Sequence, residues 1–424
     1  MSDRTSSLLD PQQMLDEAWS ARLDSRQFRT RSAIAVSASL TGIWLIAMIS
    51  FDLWDRVIGL WPATITMVFG SLVAGSTPQG GGVVAFPVFT KVFGMPPEVA
   101  RTFSFCIQSV GMMAATAWIV INRRPVEWRT LAIVTASAVA GLAVAGILSA
   151  QSDLPFRPAA LSAPYVKITF TIVLIAMAFV VYEGTRVSIR EVHLGLPGLN
   201  GRMRATLVLC GFLGGVSSAL VGSGADVFLY LALVLFFAVD PKVGVPTSVI
   251  CMALISVIGM VYFGLVDGQL LVGLNDAGQV VSVGGDPVGL NEAGRLIYGE
   301  GAPAPARQYD VLGLWLAAIP VVVWGAPVGT WIAARLTTRN LVRFVTILAL
   351  SEVISTAIFL KPLRTDMFLL SYFIIGVVLT VLVLRVVANR REQIFNLPEA
   401  NLEASLHADR LDIGEGFRRE GGTR

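Results

Sequence analysis

The chain has 424 residues, of which 54% are hydrophobic and only 14% are charged. A soluble globular domain carries about 25% charged residues, so the composition argues against a water-soluble enzyme and predicts a polytopic membrane protein. The formal net charge of +3, from 32 basic and 29 acidic residues, lacks the clustered basic excess of a nucleic-acid binder.

The first 31 residues carry both signs of charge and no short apolar core, which predicts a cytoplasmic tail over 1–31 rather than a cleaved signal peptide. Apolar stretches long enough to cross a bilayer, about 20 residues each, follow one another after this tail. The eight predicted spans are 32–51, 97–121, 127–150, 164–182, 241–266, 311–335, 341–360 and 369–388. The polar segment 389–424 is predicted to be a second cytoplasmic tail.

Two further apolar stretches, 57–94 and 203–239, are interrupted near their centres by glycine-rich breaks. Each is too long for one crossing, so we expect a helical hairpin, either re-entrant or fully spanning. The predicted fold is therefore all-α, with about eight full spans and two glycine-broken hairpins.

The distribution of basic residues predicts the orientation, since Lys and Arg accumulate in cytoplasmic loops. With both termini inside, sixteen basic residues lie in or next to the inner connections and six in the outer ones. This bias predicts a multi-pass protein of the inner (plasma) membrane with both termini in the cytoplasm.

The two hairpins would then enter from opposite sides, as in an inverted repeat, which is a common plan of secondary transporters. Residues 70–104 align without gaps on 214–248, with few identities but the same order of features: a small-residue helix, a glycine break, an apolar half-helix, Pro-x-Val and a hydroxyl-bearing helix start. The sequence predicts a first membrane half over 32–182 and a second over 183–388.

Segment 267–310 has a different character. It contains VGLNDAGQVV and VGLNEAGRLI, two copies of an apolar run around an Asn-Asp/Glu-Ala-Gly turn. Such runs predict two small β-hairpins on the extracytoplasmic side. An inserted loop is the simpler interpretation, and a ligand lid is the alternative.

The first break reads Ser76-Thr77-Pro78-Gln79-Gly80-Gly81-Gly82. Backbone without helical hydrogen bonds survives at membrane depth only inside protein or beside a wet cavity. The half-helix that follows would point its free N–H groups and positive dipole end inward, which favours an anion. The second break, Gly222-Ser223-Gly224-Ala225-Asp226, would deliver another half-helix from the opposite side. Close helix packing through small residues is the alternative explanation.

This twofold pattern resembles the TauE/SafE family of membrane permeases. The resemblance covers about 57–150 and 203–336 and is carried by Gly75, Gly80-Gly81-Gly82, Pro87, Pro97, Gly222, Gly224, Pro241 and Pro246-Thr247-Ser248. It implies export of sulfite or of organosulfonates such as sulfoacetate. The second break departs from the family pattern, because Asp226 stands where more glycine and a following proline are usual.

Asp226 has two open roles: it caps its half-helix by accepting backbone N–H groups, or it carries a proton that moves with the anion. Glu352, inside a predicted span, is a second candidate proton site. Arg101 either attracts anions into an outer vestibule, or has a structural role. In the structural role it forms an ion pair with Glu98 or extends its side chain to the membrane–water interface. The neutral donors expected around the cavity are Thr102, Ser104, Gln108, Thr247 and Ser248, although a hydroxyl bonded to its own helix is the ordinary alternative for each.

The leading hypothesis is a secondary permease for a small sulfur-containing anion. In this hypothesis the protein exports the anion, and proton coupling is a possible mode of transport. A transporter of another carboxylate, an amino acid or a cation is the alternative, and a scaffold role is disfavoured by two buried breaks. No phosphate-binding loop, HExxH or GxSxG motif is present, so neither intrinsic ATP coupling nor catalysis is expected. Three unpaired cysteines and two histidines outside the spans give no reason to expect a metal or another cofactor. The sequence does not specify an oligomeric state.

Overall fold

A computed structural model describes residues 30–150, 198–274, 307–337 and 362–395, with Leu196, short strand segments of the insert and isolated helical residues within 165–178 and 340–358. The predicted spans 164–182 and 341–360 therefore fall largely outside the described residues. Most of the two predicted tails does so as well. In the predicted span 164–182, Ile168 and Ile172 pack against Leu369 of the last helix.

The helices are α1 (Thr30–Ser50), α2 (Trp54–Val57), α3 (Trp61–Ser76), α4 (Gly82–Pro87), α5 (Pro97–Ile121), α6 (Trp128–Ala150), α7 (Gly201–Val221), α8 (Ala225–Tyr230), α9 (Pro241–Gly259), α10 (Val311–Arg335), α11 (Pro362–Thr365) and α12 (Met367–Phe395). Three of them continue as π-helical turns, α4 through Val88–Val92, α8 through Leu231–Phe236 and α9 through Met260–Val266.

Six helices of the described part are long and apolar enough to cross a membrane: α5, most of α6, α7, α9 with its π-helical continuation, α10 and α12. The prediction of an all-α polytopic membrane protein is thereby confirmed. The predicted spans 97–121 and 311–335 coincide with α5 and α10. The last span is longer than expected, because α12 runs through residues predicted to begin the tail.

The first hairpin breaks where the sequence stops supporting a helix. Helix α3 ends at Ser76, and Thr77 has extended backbone because the following proline disfavours the helical conformation. Helix α4 begins five residues after Thr77, and the mainly apolar run Gly82–Val92 is fully helical. The chain then reaches Pro97, whose fixed φ suits the first position of α5.

The second hairpin has the same order of elements. Helix α7 ends at Val221 and is capped by Gly222, which has a left-handed φ of 77°, and Gly224 has a φ of 146° that favours glycine. Helix α8 and its π-helical continuation follow, and α9 begins at Pro241. The correspondence of the two hairpins agrees with the aligned segments, while their inversion across the bilayer stays a prediction.

The two halves of the sequence interlock. Helix α6, from the first half, packs along α7 and α9 of the second, and α10, from the second half, packs along α3 and α5 of the first. Glycines allow these approaches: Gly75 lies on the Ala326 carbonyl of α10, and Gly215 lies on the Ala138 carbonyl of α6. Each hairpin is therefore held by a helix from the other half.

The insert contains β1 (Leu271–Leu274), β2 (Val280–Val283), β3 (Pro287–Leu290), β4 (Leu296–Tyr298) and β5 (Arg307–Asp310). Strands β1 and β2 pair antiparallel, as do β3 and β4, at the two copies of the repeat. Strand β5, which the repeat does not predict, pairs antiparallel with β1 in the order β2-β1-β5. The insert consequently ends beside its own beginning, where Leu270 accepts the N–H groups of Val311 and Leu312.

Candidate functional site

The two glycine breaks meet inside the protein. A Cβ placed on Gly80, which has a left-handed φ of 64°, would lie 2.6 Å from Gln108 Oε1 and 2.7 Å from Asp226 Oδ2. A Cβ on Gly82 would lie 2.7 Å from the Cβ of Ser223. These positions therefore require glycine for close approach, and the starts of α4 and α8 lie against each other.

Asp226 is fully buried in the first turn of α8. Its Oδ1 accepts hydrogen bonds from the backbone N–H groups of Gly224, at 3.2 Å, and Val227, at 3.0 Å. The carboxylate thus caps its own half-helix. Its Oδ2 has no hydrogen-bond partner, and within the described residues no basic side chain forms an ion pair with it.

Gln108, from α5, presents a second acceptor to the same space. Its Nε2 donates to two backbone carbonyls, those of Ser104 at 2.9 Å and Gly222 at 2.8 Å. These two acceptors fix the orientation of the amide, because reversing it would place oxygen against oxygen. Gln108 Oε1 is consequently left without a partner beside Asp226 Oδ2.

The first break supplies donors. In the described part of the chain, the N–H groups of Gly80, Gly81 and Gly82 donate to no backbone carbonyl outside their own helix. The Gln79 side chain is fully buried, and neither its Nε2 nor its Oε1 has a partner. The break is tied to its counterpart by Ser223 Oγ, which donates to the Gln79 carbonyl at 3.1 Å. Buried polar atoms without partners are uncommon in proteins, and here they gather at one place.

Four predicted hydroxyls bond to their own helix instead. Thr77 donates to Val73 O, Ser104 to Ala100 O, Thr247 to Val243 O and Ser248 to Val245 O. Ser104 nevertheless packs beside the second break, since a Cβ on Gly222 would lie 2.6 Å from its Cβ.

Thr247 supports the connection between α5 and α6, because its hydroxyl also accepts the Glu127 N–H at 3.1 Å. The Glu127 carboxylate in turn accepts the Leu196 N–H at 3.0 Å. Burial raises the pKa of Glu127 above its ordinary value, and the bond from Leu196 and the charge of Arg129 oppose this effect. Glu352, the other predicted proton site, lies outside the described residues.

Arg101 and Thr102 form a separate polar cluster around a residue that the sequence analysis missed, Gln269. Arg101 Nη2 donates to Gln269 Oε1 at 2.6 Å, and Thr102 Oγ1 donates to the same oxygen at 2.8 Å. Arg101 does not pair with Glu98. The available signal for Gln269 was its position as a polar residue directly after a predicted span.

The described residues thus form a helical membrane protein in which two interrupted helices meet at a buried polar site, an architecture found among secondary transporters. The family model described as "Sulfite exporter TauE/SafE" matches residues 63–355, which is more than half of the chain. The protein belongs to the TauE/SafE family, whose members are membrane transporters of sulfite or related anions. Comparisons with curated proteins and with solved structures gave no match.

Proposed function

We propose that this protein is a secondary permease that exports a small sulfur oxyanion, sulfite or an organosulfonate such as sulfoacetate, together with a proton. The observation that carries the proposal is a group of buried side-chain atoms without hydrogen-bond partners at the two breaks: Gln79 Nε2, Gln108 Oε1 and Asp226 Oδ2. Family membership supports the substrate class, and the export direction follows the family description.

The donors account for the anion. The N–H groups of Gly80, Gly81 and Gly82 precede a helical run that extends to Val92, so the helix dipole adds to their attraction for negative charge. Their glycines allow a ligand to approach the backbone. In this proposal the anion binds by backbone hydrogen bonds, without a fixed cation to retain it.

The acceptors account for the proton. Asp226 Oδ2 and Gln108 Oε1 both lie within 2.7 Å of the position that a Cβ on Gly80 would take, and neither accepts a hydrogen bond; the Ser223 hydroxyl beside Asp226 donates to the Gln79 carbonyl instead. A proton on Oδ2 gives the pair its missing hydrogen bond, with Asp226 as donor and Gln108 as acceptor. It also removes a negative charge that would repel the anion. From α9, the Cys251 thiol lies within electrostatic range of Asp226.

Sulfoacetate flux into or out of proteoliposomes, with and without a pH gradient, tests the proposal. With one proton per anion and the membrane potential held at zero, a gradient of one pH unit supports about tenfold accumulation, since about 1.4 kcal/mol corresponds to a factor of ten. We expect saturable flux that the gradient drives. An Asp226→Asn variant should keep both hydrogen bonds from the backbone and donate from its amide to Gln108. It should therefore still exchange anion across the membrane, but a pH gradient should no longer drive net flux.

Asp240→Asn is the matched control. Asp240 is also a buried carboxylate at a helix start, and its Oδ1 accepts the Lys242 N–H at 2.7 Å. Its variant should retain pH-driven flux. Flux driven by a sodium gradient instead would favour a metal cation between Asp226 and Gln108, and absence of sulfoacetate and sulfite flux would remove the proposed substrate class.

A further inference from the structure

Arg101 is a buried cation that contacts no carboxylate directly within the described residues. Its side chain is 5% exposed, and Nη1 donates to the Ala219 carbonyl at 3.1 Å. Its Nε has no partner, and it forms no ion pair with Glu98 or Asp267 in the part of the chain that the structure describes. The face of the Phe263 ring lies 4.0 Å from the guanidinium carbon. Glu98 and Asp267 offset part of the Arg101 charge from a distance, but a buried guanidinium without a directly bonded carboxylate is costly, so this position suits an anion.

A neutral amide oxygen now occupies the place where an anion would bind. Gln269 Oε1 accepts from both Arg101 and Thr102, two bonds that an oxyanion oxygen would receive from the same donors. Gln269 Nε2 donates to the carboxylate of Asp267, which holds the amide in this orientation. The geometry matches a side chain that mimics a ligand oxygen.

The backbone of Gln269 is fixed, and its side chain is held by three hydrogen bonds, with Arg101, Thr102 and Asp267. Its N–H donates to the Phe263 carbonyl at 2.9 Å, and the next residue, Leu270, is bonded to the start of α10. Release of Arg101 therefore needs a rotation of one side chain and no movement of the insert.

The Arg101 cluster borders the central site. The backbone of Arg101 lies against Gly222 of the second break, where a Cβ would be 2.7 Å from the Arg101 carbonyl oxygen. Arg101, Ser104 and Gln108 are spaced three and four residues apart and so share one face of α5. Seven helical residues separate Arg101 from Gln108 by about 10 Å along the axis.

We propose that Arg101 and Thr102 form a second binding site for the transported oxyanion, and that Gln269 closes it by competing for the same donors. This inference rests on the proposed function, since it concerns the path of the same substrate. The anion displaces the amide of Gln269, binds Arg101, and passes along α5 to the glycine breaks.

Three variants of Gln269 separate competition from a structural role. Gln269→Met and Gln269→Ala remove the competing oxygen, and we expect KM for sulfoacetate to fall by about tenfold, the effect of one charge-assisted bond. Gln269→Glu supplies a tethered carboxylate, so KM should rise or flux should cease. Asn122→Ala, which removes a carboxamide at the other end of α5, should behave as the parent protein.

Thiol labelling provides a readout that does not depend on transport. The native cysteines, Cys106, Cys210 and Cys251, are buried. Thr102→Cys should react faster with a membrane-impermeant maleimide in the Gln269→Met background, and sulfoacetate should slow this reaction. Equal labelling with and without Gln269, or equally impaired flux in all three Gln269 variants, would overturn the inference. If the parent protein carries no sulfoacetate or sulfite but this labelling pattern is seen, the proposed function fails while the anion site stands.

Discussion

Replacement of Gly80 by alanine tests whether the space between the two breaks is the transport site. Two costs follow from the structure. An L-residue in the left-handed conformation costs about 1–2 kcal/mol. The new methyl group would also lie 2.6 Å from Gln108 Oε1 and 2.7 Å from Asp226 Oδ2, and overpacking of this kind costs about 1–3 kcal/mol. We therefore expect Gly80→Ala to lower the free energy of unfolding by about 2–5 kcal/mol.

Two other glycines provide controls that separate these costs. Gly94 has nearly the same left-handed φ, 66°, but a Cβ there meets nothing within 4 Å. Gly94→Ala should therefore cost only about 1–2 kcal/mol. Gly81 lies in the same break with a right-handed φ of −71°, and its Cβ would have ordinary contacts at 3.5 Å and beyond. Gly81→Ala should change stability by no more than about 1 kcal/mol.

Thermal unfolding in detergent and sulfoacetate flux in proteoliposomes measure the two consequences separately. Flux should be lost in Gly80→Ala at temperatures where the variant is folded, because the methyl group fills the space beside both acceptors. It should persist in Gly94→Ala and Gly81→Ala. If Gly80→Ala matched Gly94→Ala in both stability and flux, the space at the breaks would not be the transport site.

Two further predictions concern carboxylates outside the membrane-spanning segments. Burial raises the pKa of Glu127 in the folded protein, so its stabilising contribution is present at low pH and is lost as pH rises through that pKa. Glu127→Gln keeps an acceptor for the Leu196 N–H. At pH values above the pKa that Glu127 has in the folded protein, this variant should have a higher melting temperature than the parent, and below pH ~4.5 it should not. Equal melting curves at all pH values would contradict this prediction. Asp310 caps the start of α10 by accepting the Gly313 N–H at 2.9 Å. Asp310→Ala should therefore lower the free energy of unfolding by about 0.5–2 kcal/mol, and Asp310→Asn by much less. Equal losses of stability in the two variants would assign the effect to the charge and not to the cap.

The fold could be predicted from local signals. A run of about 20 apolar residues predicts a span regardless of its partners, and α5 and α10 accordingly begin and end where the sequence places them. Pro78 and the three glycines after it likewise determine where α3 stops and α4 starts, because proline and glycine act on their immediate neighbours. The glycine breaks are therefore the part of the candidate site that the sequence predicts best.

The contacts between distant parts of the chain could not be predicted in this way. Gln108 meets Gly222 across 114 positions, and Arg101 meets Gln269 across 168. A single sequence carries no signal that pairs such residues. The hydroxyls of Thr247 and Ser248 show the opposite problem: their residue type suggests a cavity donor, yet in an apolar helix the nearest acceptor is the carbonyl of the preceding turn.

The separation of a full positive charge from the central site has a physical reason. An anion bound by a buried arginine at the breaks would gain a strong interaction that must be broken before release, whereas a transporter needs weak, exchangeable binding at its centre. In the proposed mechanism, Arg101, about 10 Å from Gln108 along the axis of α5, captures the anion while Gln269 competes for it. In the same proposal, the attraction at the breaks comes from glycine N–H groups, and protonation of Asp226 removes its repulsion of the anion. Capture is thus proposed at Arg101 on α5, and release at the two glycine breaks.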